Sequence, residues 1–157
     1  MAVHEHEQHA SARLTAGALF TDPAGRPLLV KPGYKHGWEI PGGYVDAGES
    51  PLAACRRELV EELGRDLPVN GQPLVVDWAP LAPEGDKLLF IFDGGTLSDE
   101  DVRSFVFADG EIEETRFVEA ADLEEYVPKR LADRLRLALA ARQEDRCVYA
   151  EHAVEPH

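Results

Sequence analysis

Apolar residues recur along the chain in short runs separated by turn-forming residues, and this pattern predicts several β-strands. The runs that carry this signal lie at 14–21, 27–31, 73–78, 88–93 and 113–118. Residues 22–26 and 80–86 predict turns, and 94–101 predicts a loop. Two weaker signals predict a strand at 38–40 leading into a glycine-rich loop, and a short strand at 104–107.

A helix is predicted between Ser50 and Gly64. Ser50 is a favourable N-cap, Pro51 suits the first helical position, and Gly64 suits a left-handed stop. With successive side chains about 100° apart around the axis, the apolar residues share one face that would pack on a core. These residues are Leu52, Cys55, Leu59 and Leu63.

Two further helices are predicted near the end of the chain, a short one around 122–126 and a longer one at 128–142. The longer helix would turn its apolar side chains inward: Leu131, Leu135, Ala138 and Leu139. Its cationic residues are predicted to form a solvated face or to complement the acidic stretch at 93–126: Lys129, Arg130, Arg134 and Arg136. Segments 1–12 and 144–157 are predicted to be flexible tails, leaving one domain at 13–143. The order of elements predicts an α/β sandwich around a mixed sheet.

The face of the first helix opposite its apolar side carries Glu58, Glu61 and Glu62. Like charges at these spacings destabilise a helix by roughly 0.2–0.5 kcal/mol per pair, so a positive charge should offset them. Arg57 is a candidate, but a step of one residue does not direct it squarely into the cluster. A hard divalent cation, Mg²⁺ with Mn²⁺ as a substitute, suits clustered carboxylates better. The alternative interpretation is a solvated acidic helix face that follows a glycine turn.

The segment from Gly43 to Arg65 resembles the Nudix box of the MutT-like Nudix hydrolase superfamily. The box pattern is G-x5-E-x7-R-E-U-x-E-E-x-G-U, where U is a bulky aliphatic residue, and this chain matches every position except the last. Arg65 stands at that position, and we expect Leu67 to supply the missing core contact. The resemblance implies the Nudix fold, an α/β/α sandwich around a mixed β-sheet in which the box forms a loop–helix–loop.

The resemblance also implies an activity, a Mg²⁺-dependent pyrophosphohydrolase that cleaves a nucleoside diphosphate linked to another moiety X. Water would attack phosphorus, and the substrate would be a nucleotide, a nucleotide sugar or an ADP-ribose type molecule. Two alternatives remain, a non-catalytic nucleotide-sensing Nudix domain and a prenyl diphosphate isomerase. The box motif indicates that the substrate contains a pyrophosphate, but it does not identify the X group.

The resemblance assigns roles to residues of the box by position. Glu58, Glu61 and Glu62 would be metal ligands, joined by the carbonyl of Gly42, with Glu58 and Glu61 also counted as catalytic. Three further residues would support them: Arg57 positions the glutamates, Glu49 braces the loop against the helix, and Gly43 allows close approach of the backbone.

The family often recruits another carboxylate from a loop before a late strand that contains an aromatic residue. Glu111, Glu113 and Glu114 precede Phe117 here. We predict that Glu111, which lies six residues ahead of Phe117 and outside the predicted strand, is the catalytic one. The alternative is that Glu111 is surface acid in an acidic stretch.

The chain carries a net charge of −14, and the stretch 93–126 has twelve acidic residues against two arginines, a net −10. Such a surface repels polymeric nucleic acid, which is bound by neutralising its phosphates. A small polyphosphate still requires cations, for which Lys31, Lys35 and His36 are candidates as substrate contacts. The alternative for each of these three is ordinary solvation.

Two cysteines, Cys55 and Cys147, do not make a disulfide framework, so a reducing cytoplasm is expected. No apolar run reaches the ~18 residues of a membrane span, and no signal peptide is apparent at the N-terminus. The histidines of the N-terminal tail are left out of the predicted site, because a disordered segment must be fixed before it coordinates a metal: His4, His6 and His9. The family resemblance is compatible with a homodimer.

Overall fold

A mixed five-stranded sheet forms the centre of the fold in a computed structural model that describes residues 8–34, 36–108 and 110–157. The strands of the described residues are β1 (Arg13–Thr21), β2 (Leu28–Pro32), β3 (Gly42–Tyr44), β4 (Pro73–Trp78), β5 (Lys87–Thr96), β6 (Ile112–Phe117) and β7 (Val148–Glu151). The sheet order is β3-β1-β5-β4-β7. The β1–β5 and β4–β7 contacts are parallel, and the β1–β3 and β4–β5 contacts are antiparallel. Strands β2 and β6 form a separate antiparallel pair.

Helices cover both faces of the sheet. They are α1 (Pro51–Leu63), α2 (Asp99–Arg103), a 3-10 helix (Ala120–Glu125) and α3 (Lys129–Gln143). Phe20 of β1 is buried in one core with Leu59 of α1, whereas the neighbouring Leu19 is buried in a second core with Leu135 of α3. Because both faces of β1 are covered, the strand is a nearly continuous apolar run in the sequence. The predicted α/β sandwich around a mixed sheet is confirmed.

Helix α1 begins and ends where its sequence predicts. The Ser50 hydroxyl accepts a hydrogen bond from the Ala53 N–H (3.1 Å), and Gly64 adopts a left-handed conformation with φ 69°. A side chain at residue 64 would also collide with Val106, whose carbonyl oxygen would lie 2.7 Å from a Cβ. Leu67, four per cent exposed, packs in the core with α1, as predicted from the departure at Arg65.

Residues 94–107 differ from their prediction. Strand β5 continues to Thr96, and α2 begins at Asp99 behind a capping box formed by Ser98 and Asp101. The predicted strand at 104–107 is wrong, because these residues follow α2 without a strand partner, and Phe105 and Phe107 pack against the core from irregular backbone. The capping box is a local signal for a helix, and the apolar residues at 105–107 obscured it in the sequence.

The predicted strand at 38–40 is displaced. Glu39 makes an isolated bridge with Val30, and the regular strand is Gly42–Tyr44, which pairs with β1. The apolar signal at 38–40 arises instead because Trp38 and Ile40 pack against the core on the α3 side.

The C-terminal segment differs most from its prediction as a tail. Residues 148–151 form β7, which pairs in parallel with β4, and both Val148 and Ala150 are buried. Four residues give too short a pattern to predict a strand, and the pairing depends on a partner some seventy positions earlier in the chain. The helices of the described residues are all too short or too polar to cross a membrane.

Candidate active site

Three carboxylates meet where α1 faces the loop before β6. One oxygen each from Glu58, Glu62 and Glu111 lies within 4.8 Å of the other two. Glu62 is eight per cent exposed and accepts a hydrogen bond from the Gly42 N–H (3.1 Å). The loop that carries Glu111 is tied to the loop after β2, because the Gly33 N–H donates to the Glu111 carbonyl (2.8 Å).

Glycines at 42 and 43 let β3 approach both α1 and β1. A Cβ at residue 43 would lie 2.5 Å from Oε1 of Glu58, so any side chain would displace that carboxylate. Gly42 has φ 148°, and a Cβ there would lie 2.3 Å from the carbonyl oxygen of Ala16. These two positions therefore hold glycine because backbone and carboxylate occupy the space.

Burial raises the pKa values of two acids of the cluster. Burial, reinforced by the charges of Glu58, Glu111 and Glu61, raises the pKa of Glu62 to about 8 against the opposing Gly42 hydrogen bond. Burial also raises the pKa of Glu58. Burial disfavours the anions of Glu58 and Glu62, and a hard divalent cation would supply the positive charge that they lack.

Arg57 connects the glutamates of the box. Its Nε and Nη2 donate to the two oxygens of Glu49 (2.8 and 2.9 Å), while Nη1 contacts Glu58 (3.1 Å) and Glu61 (3.2 Å). Nη2 also donates to the Tyr44 carbonyl (3.2 Å). The expectation that Arg57 does not point into the cluster is wrong, because its long side chain reaches along the helix surface to both glutamates.

Glu49 and Arg57 stabilise each other as ions. The hydrogen bonds from Arg57, with one from the Asp46 N–H, lower the pKa of Glu49 to about 2. The same pair raises the pKa of Arg57 above its ordinary value. This is the contact that a bracing role for Glu49 requires, since it ties the loop after β3 to α1.

A cavity of about 690 Å³ opens beside the carboxylates. Gly42 and Gly43 line the end near the cluster, and Tyr34, Trp38 and Arg134 line other walls. Tyr126 packs edge-on against Trp38 at 5.8 Å, and the Arg116 guanidinium lies 5.0 Å from the Trp38 ring centre. Ligand sites in proteins commonly have volumes of about 300–1,000 Å³, so this cavity is large enough for a nucleotide.

A family model described as the NUDIX domain matches residues 11–141. The chain belongs to the NUDIX family. A MutT protein from Methanosarcina mazei superposes with a TM-score of 0.67 at 21% identity, covering 87% of this chain and 97% of that one. A UDP-X diphosphatase superposes equally well, with a TM-score of 0.67 at 21% identity over 96% of this chain and 75% of that one. At this identity both likenesses establish the shared fold.

Two curated relatives resemble the chain over short segments. An RNA pyrophosphohydrolase from Vibrio cholerae is 40% identical over 52 residues, which are 33% of this chain. The matched segment spans 30% of that relative's length. A putative 8-oxo-dGTP diphosphatase 2 from Mycobacterium tuberculosis is 60% identical over 30 residues, which are 19% of this chain and 21% of that protein.

The structure separates the three box glutamates of this NUDIX chain. Glu58 and Glu62 join Glu111, whereas Glu61 is 40% exposed and lies against Arg57. A metal-ligand role for Glu61 therefore stays a prediction. For Gly42 the structure places the amide N–H against Glu62, and the role of its carbonyl also stays a prediction.

The other acidic and cationic candidates lie apart. Glu113 faces Lys31 at 3.9 Å, and Glu114 pairs with Arg116 at 2.7 Å. His36 lines the cavity, as a substrate contact would require.

Three of the predicted positions fall outside the described residues: Lys35, His4 and His6. The third N-terminal histidine, His9, is exposed.

The sequence did not identify Tyr34 or Arg134 as site residues. The side chain of Tyr34 is largely exposed, but partial desolvation of its hydroxyl and the charges of Glu62, Glu111 and Glu58 raise its pKa. Arg134 was predicted to lie on a solvated face or to complement the acidic stretch 93–126. It is instead five per cent exposed, with its Nε 2.6 Å from Asp77, which lies outside that stretch. A buried Asp on β4 opposite a helix arginine is a pairing between distant segments, and helical periodicity alone gives no sign of it.

Proposed function

We propose that the chain is a divalent-metal-dependent pyrophosphohydrolase acting on a nucleoside diphosphate linked to another moiety X. The observation that carries the proposal is the cluster of Glu58, Glu62 and Glu111, which lies against Gly42 and Gly43 where these glycines line a cavity of nucleotide size. Membership of the NUDIX family supports the same proposal.

Glu58, Glu62 and Glu111 would hold Mg²⁺, with Mn²⁺ as a substitute and Glu61 and the Gly42 carbonyl as further donors. When bound, the metal would neutralise phosphate charge and lower the pKa of an attacking water. Its absence leaves an acidic site that repels a polyphosphate, so substrate binding and metal binding are expected to be coupled.

The residues of the chain have separate tasks in this proposal. Arg57 fixes Glu58 and Glu61 through one guanidinium, so both carboxylates keep one orientation while the substrate reacts. Because Gly42 and Gly43 have no side chains, the diphosphate can approach the carboxylate cluster closely. A carboxylate of the cluster accepts the proton of the attacking water as the bond to phosphorus forms, and the other phosphate leaves.

The names of the similar proteins support a phosphoanhydride substrate but differ in the group attached to it. They include an RNA pyrophosphohydrolase and a UDP-X diphosphatase. We propose a small nucleotide derivative, because the stretch 93–126 carries a net charge of −10 and would repel a polymer of phosphates.

The experiment is a hydrolysis panel on the full chain with nucleoside triphosphates, dinucleoside polyphosphates, nucleotide sugars and ADP-ribose. Each substrate is incubated with Mg²⁺ or with EDTA, and mononucleotide and phosphate products are separated by chromatography. We expect at least one substrate to be split at its pyrophosphate in Mg²⁺ and none in EDTA. Binding without cleavage of any substrate would support a sensing domain instead, and turnover in EDTA would contradict the metal-dependent site.

A further inference from the structure

We infer that the α3 end of the cavity is an oxyanion subsite, where Arg134 and Arg130 bind a phosphate or carboxylate carried by the X group. The inference rests on the proposed function, because it concerns the part of the substrate beyond the diphosphate. It names a chemical class for that part, an X group that carries a negative charge.

Arg134 is a buried guanidinium with most of its donors unused. It is five per cent exposed, and its Nε donates to Oδ2 of Asp77 at 2.6 Å. Within the described ranges, neither of its terminal Nη nitrogens has a hydrogen-bond partner. A guanidinium has five N–H donors, and buried donors in folded proteins are almost always satisfied. Because Arg134 lines the cavity, its Nη groups would be satisfied from the cavity.

Asp77 holds Arg134 in place and has little capacity for another partner. It is fully buried, and its two oxygens also accept from the Ala153 N–H at 3.0 and 3.1 Å. The Nε contact fixes one edge of the guanidinium and leaves the Nη edge as a planar pair of donors. Such a pair matches the two oxygens of a phosphate or carboxylate.

Arg130 adds a second positive charge to the same wall. It lies one helical turn before Arg134, is exposed and lines the cavity. It makes no ion pair with any residue that the structure describes. By contrast, Lys87 and Glu84 on another wall of the cavity pair with each other at 2.7 Å. Among the lysines and arginines that line the described part of the cavity, Arg130 is therefore the one without an ion pair, and Arg134 is paired with Asp77 through Nε but keeps its Nη donors.

The two ends of the cavity therefore differ in chemistry. Gly42 and Gly43 lie beside the carboxylates, where the metal-bound diphosphate is proposed, and the arginines line the α3 side. A substrate whose diphosphate lies on the glycines would extend its X group into the remaining volume. A negatively charged X group would gain charge-assisted hydrogen bonds there, whereas a neutral one would leave the Nη donors to water.

The C-terminal segment holds Asp77, and through it Arg134, in position. Ala153 has φ 61° and presents its N–H to Asp77, and the preceding His152 packs edge-on against Trp78 at 5.7 Å. His152 also lines the cavity. The segment after β7 thus fixes the aspartate that orients Arg134.

The test compares ligands that differ only in the charge of the X group, using the full chain in EDTA so that no substrate is hydrolysed. One pair is UDP-glucose and UDP-glucuronate, which tests a carboxylate. The other pair is ADP-ribose and ADP-ribose phosphorylated on its terminal ribose, which tests a phosphate. Repulsion between the carboxylate cluster and the diphosphate is equal within each pair, so the ratio of the two Kd values, measured by calorimetry, reports the X group.

We expect the charged ligand of at least one pair to bind about tenfold or more tightly than its neutral partner, as charge-assisted hydrogen bonds allow. Arg134→Lys keeps a positive charge beside Asp77 but removes the planar pair of Nη donors, so it should bring this ratio close to one. Arg130→Gln should reduce it without affecting folding. Lys129→Gln, an exposed neighbour on the same helix that does not line the cavity, should leave it unchanged.

Equal affinities within both pairs would overturn the subsite. If the unneutralised carboxylates keep every ligand from binding in EDTA, the same comparison is made as kcat/KM in Mg²⁺, and equal values within both pairs would overturn it. So would a ratio that survives in both Arg134→Lys and Arg130→Gln. If Arg134→Lys fails to fold, Arg130→Gln still decides. The same proteins are then assayed for hydrolysis in Mg²⁺, so that a failure of the proposed function appears as absent cleavage, independently of the affinity ratio.

Discussion

At the scale of single residues, Arg57 shows why the site needs an arginine at this position. One planar group contacts Glu49 with two donors and reaches Glu58 and Glu61 with a third. A lysine presents a single charge on a flexible chain and could not maintain these directions together. Loop, helix and two carboxylates are therefore aligned by the geometry of one side chain.

This geometry predicts that Arg57→Lys lowers kcat by about 10²-fold or more, since misplacement of about 1 Å at a catalytic group has this scale of effect. The variant should keep its fold, because a positive charge remains beside Glu49. The measurement is steady-state kinetics on the best substrate of the panel at saturating Mg²⁺. Arg56→Lys, an exposed neighbour on the same helix, is the matched control. An Arg57→Lys enzyme with the kcat of the control would show that charge alone suffices.

Glu111 is the second residue whose role can be decided by a matched pair. It shares the cluster with Glu58 and Glu62, whereas Glu113 faces Lys31 at 3.9 Å. Glu111→Gln should depress kcat by roughly 10²-fold or more, the usual scale for a general acid or base. Glu113→Gln should have little effect in the same assay. If both variants keep the wild-type kcat, the loop before β6 has no catalytic role. If only Glu113→Gln loses activity, Glu113 and not Glu111 is the catalytic residue.

At the scale of elements, local signals in the sequence predicted α1 and its acidic face. Ser50, Pro51 and Gly64 mark the ends of the helix, and helical periodicity separates its apolar and acidic sides. The family resemblance added the fold and the expectation that a late carboxylate joins the site. What the sequence left open depends on pairing between distant segments, as with β7 on β4 and Arg134 on Asp77. Neither pairing has a periodic pattern of its own, so a short strand appeared as a tail and a buried arginine as a solvated one.

The raised pKa of Glu62 makes the stability of α1 in the apo-protein dependent on pH. Between about 4.5 and about 8 the folded protein retains a proton on Glu62 that the unfolded chain has released. Raising the pH through this window therefore favours unfolding, by up to about 1.4 kcal/mol per pH unit for one proton.

We predict that the free energy of unfolding of the wild type in EDTA falls across this window, and that Glu62→Gln flattens the fall. At neutral pH the melting temperature of Glu62→Gln in EDTA should equal or exceed that of the wild type, while its kcat in Mg²⁺ should be orders of magnitude lower. Urea unfolding at several pH values gives the profile. A profile that is identical in the two proteins would remove Glu62 as the group responsible.

At the scale of the whole molecule, charge is unevenly placed, and part of it is balanced internally. Arg136 of α3 pairs with Glu124 at 2.8 Å, Arg116 pairs with Glu114 at 2.7 Å, and Arg142 pairs with Asp93 at 2.7 Å, so several acids of the stretch 93–126 are paired with cations. The charge balance differs at α1, where the single guanidinium of Arg57 contacts three carboxylates, those of Glu49, Glu58 and Glu61. A bound divalent ion would complete that balance and link the loop before β6 to α1.

The molecule should therefore be stabilised by the metal as a whole. A ligand that binds only the folded state adds RT ln(1 + [L]/Kd), about 2.7 kcal/mol at a hundredfold excess over Kd. We predict that Mg²⁺ and Mn²⁺ raise the melting temperature of the full chain in a concentration-dependent manner, measured by differential scanning calorimetry after removal of EDTA. Na⁺ at the same ionic strength is the control for screening, and Glu62→Gln should lose most of the rise because one ligand and its charge are gone. A rise of the same size with Na⁺, or in Glu62→Gln, would mean that the ions relieve general repulsion on an acidic protein and do not occupy a site between α1 and Glu111.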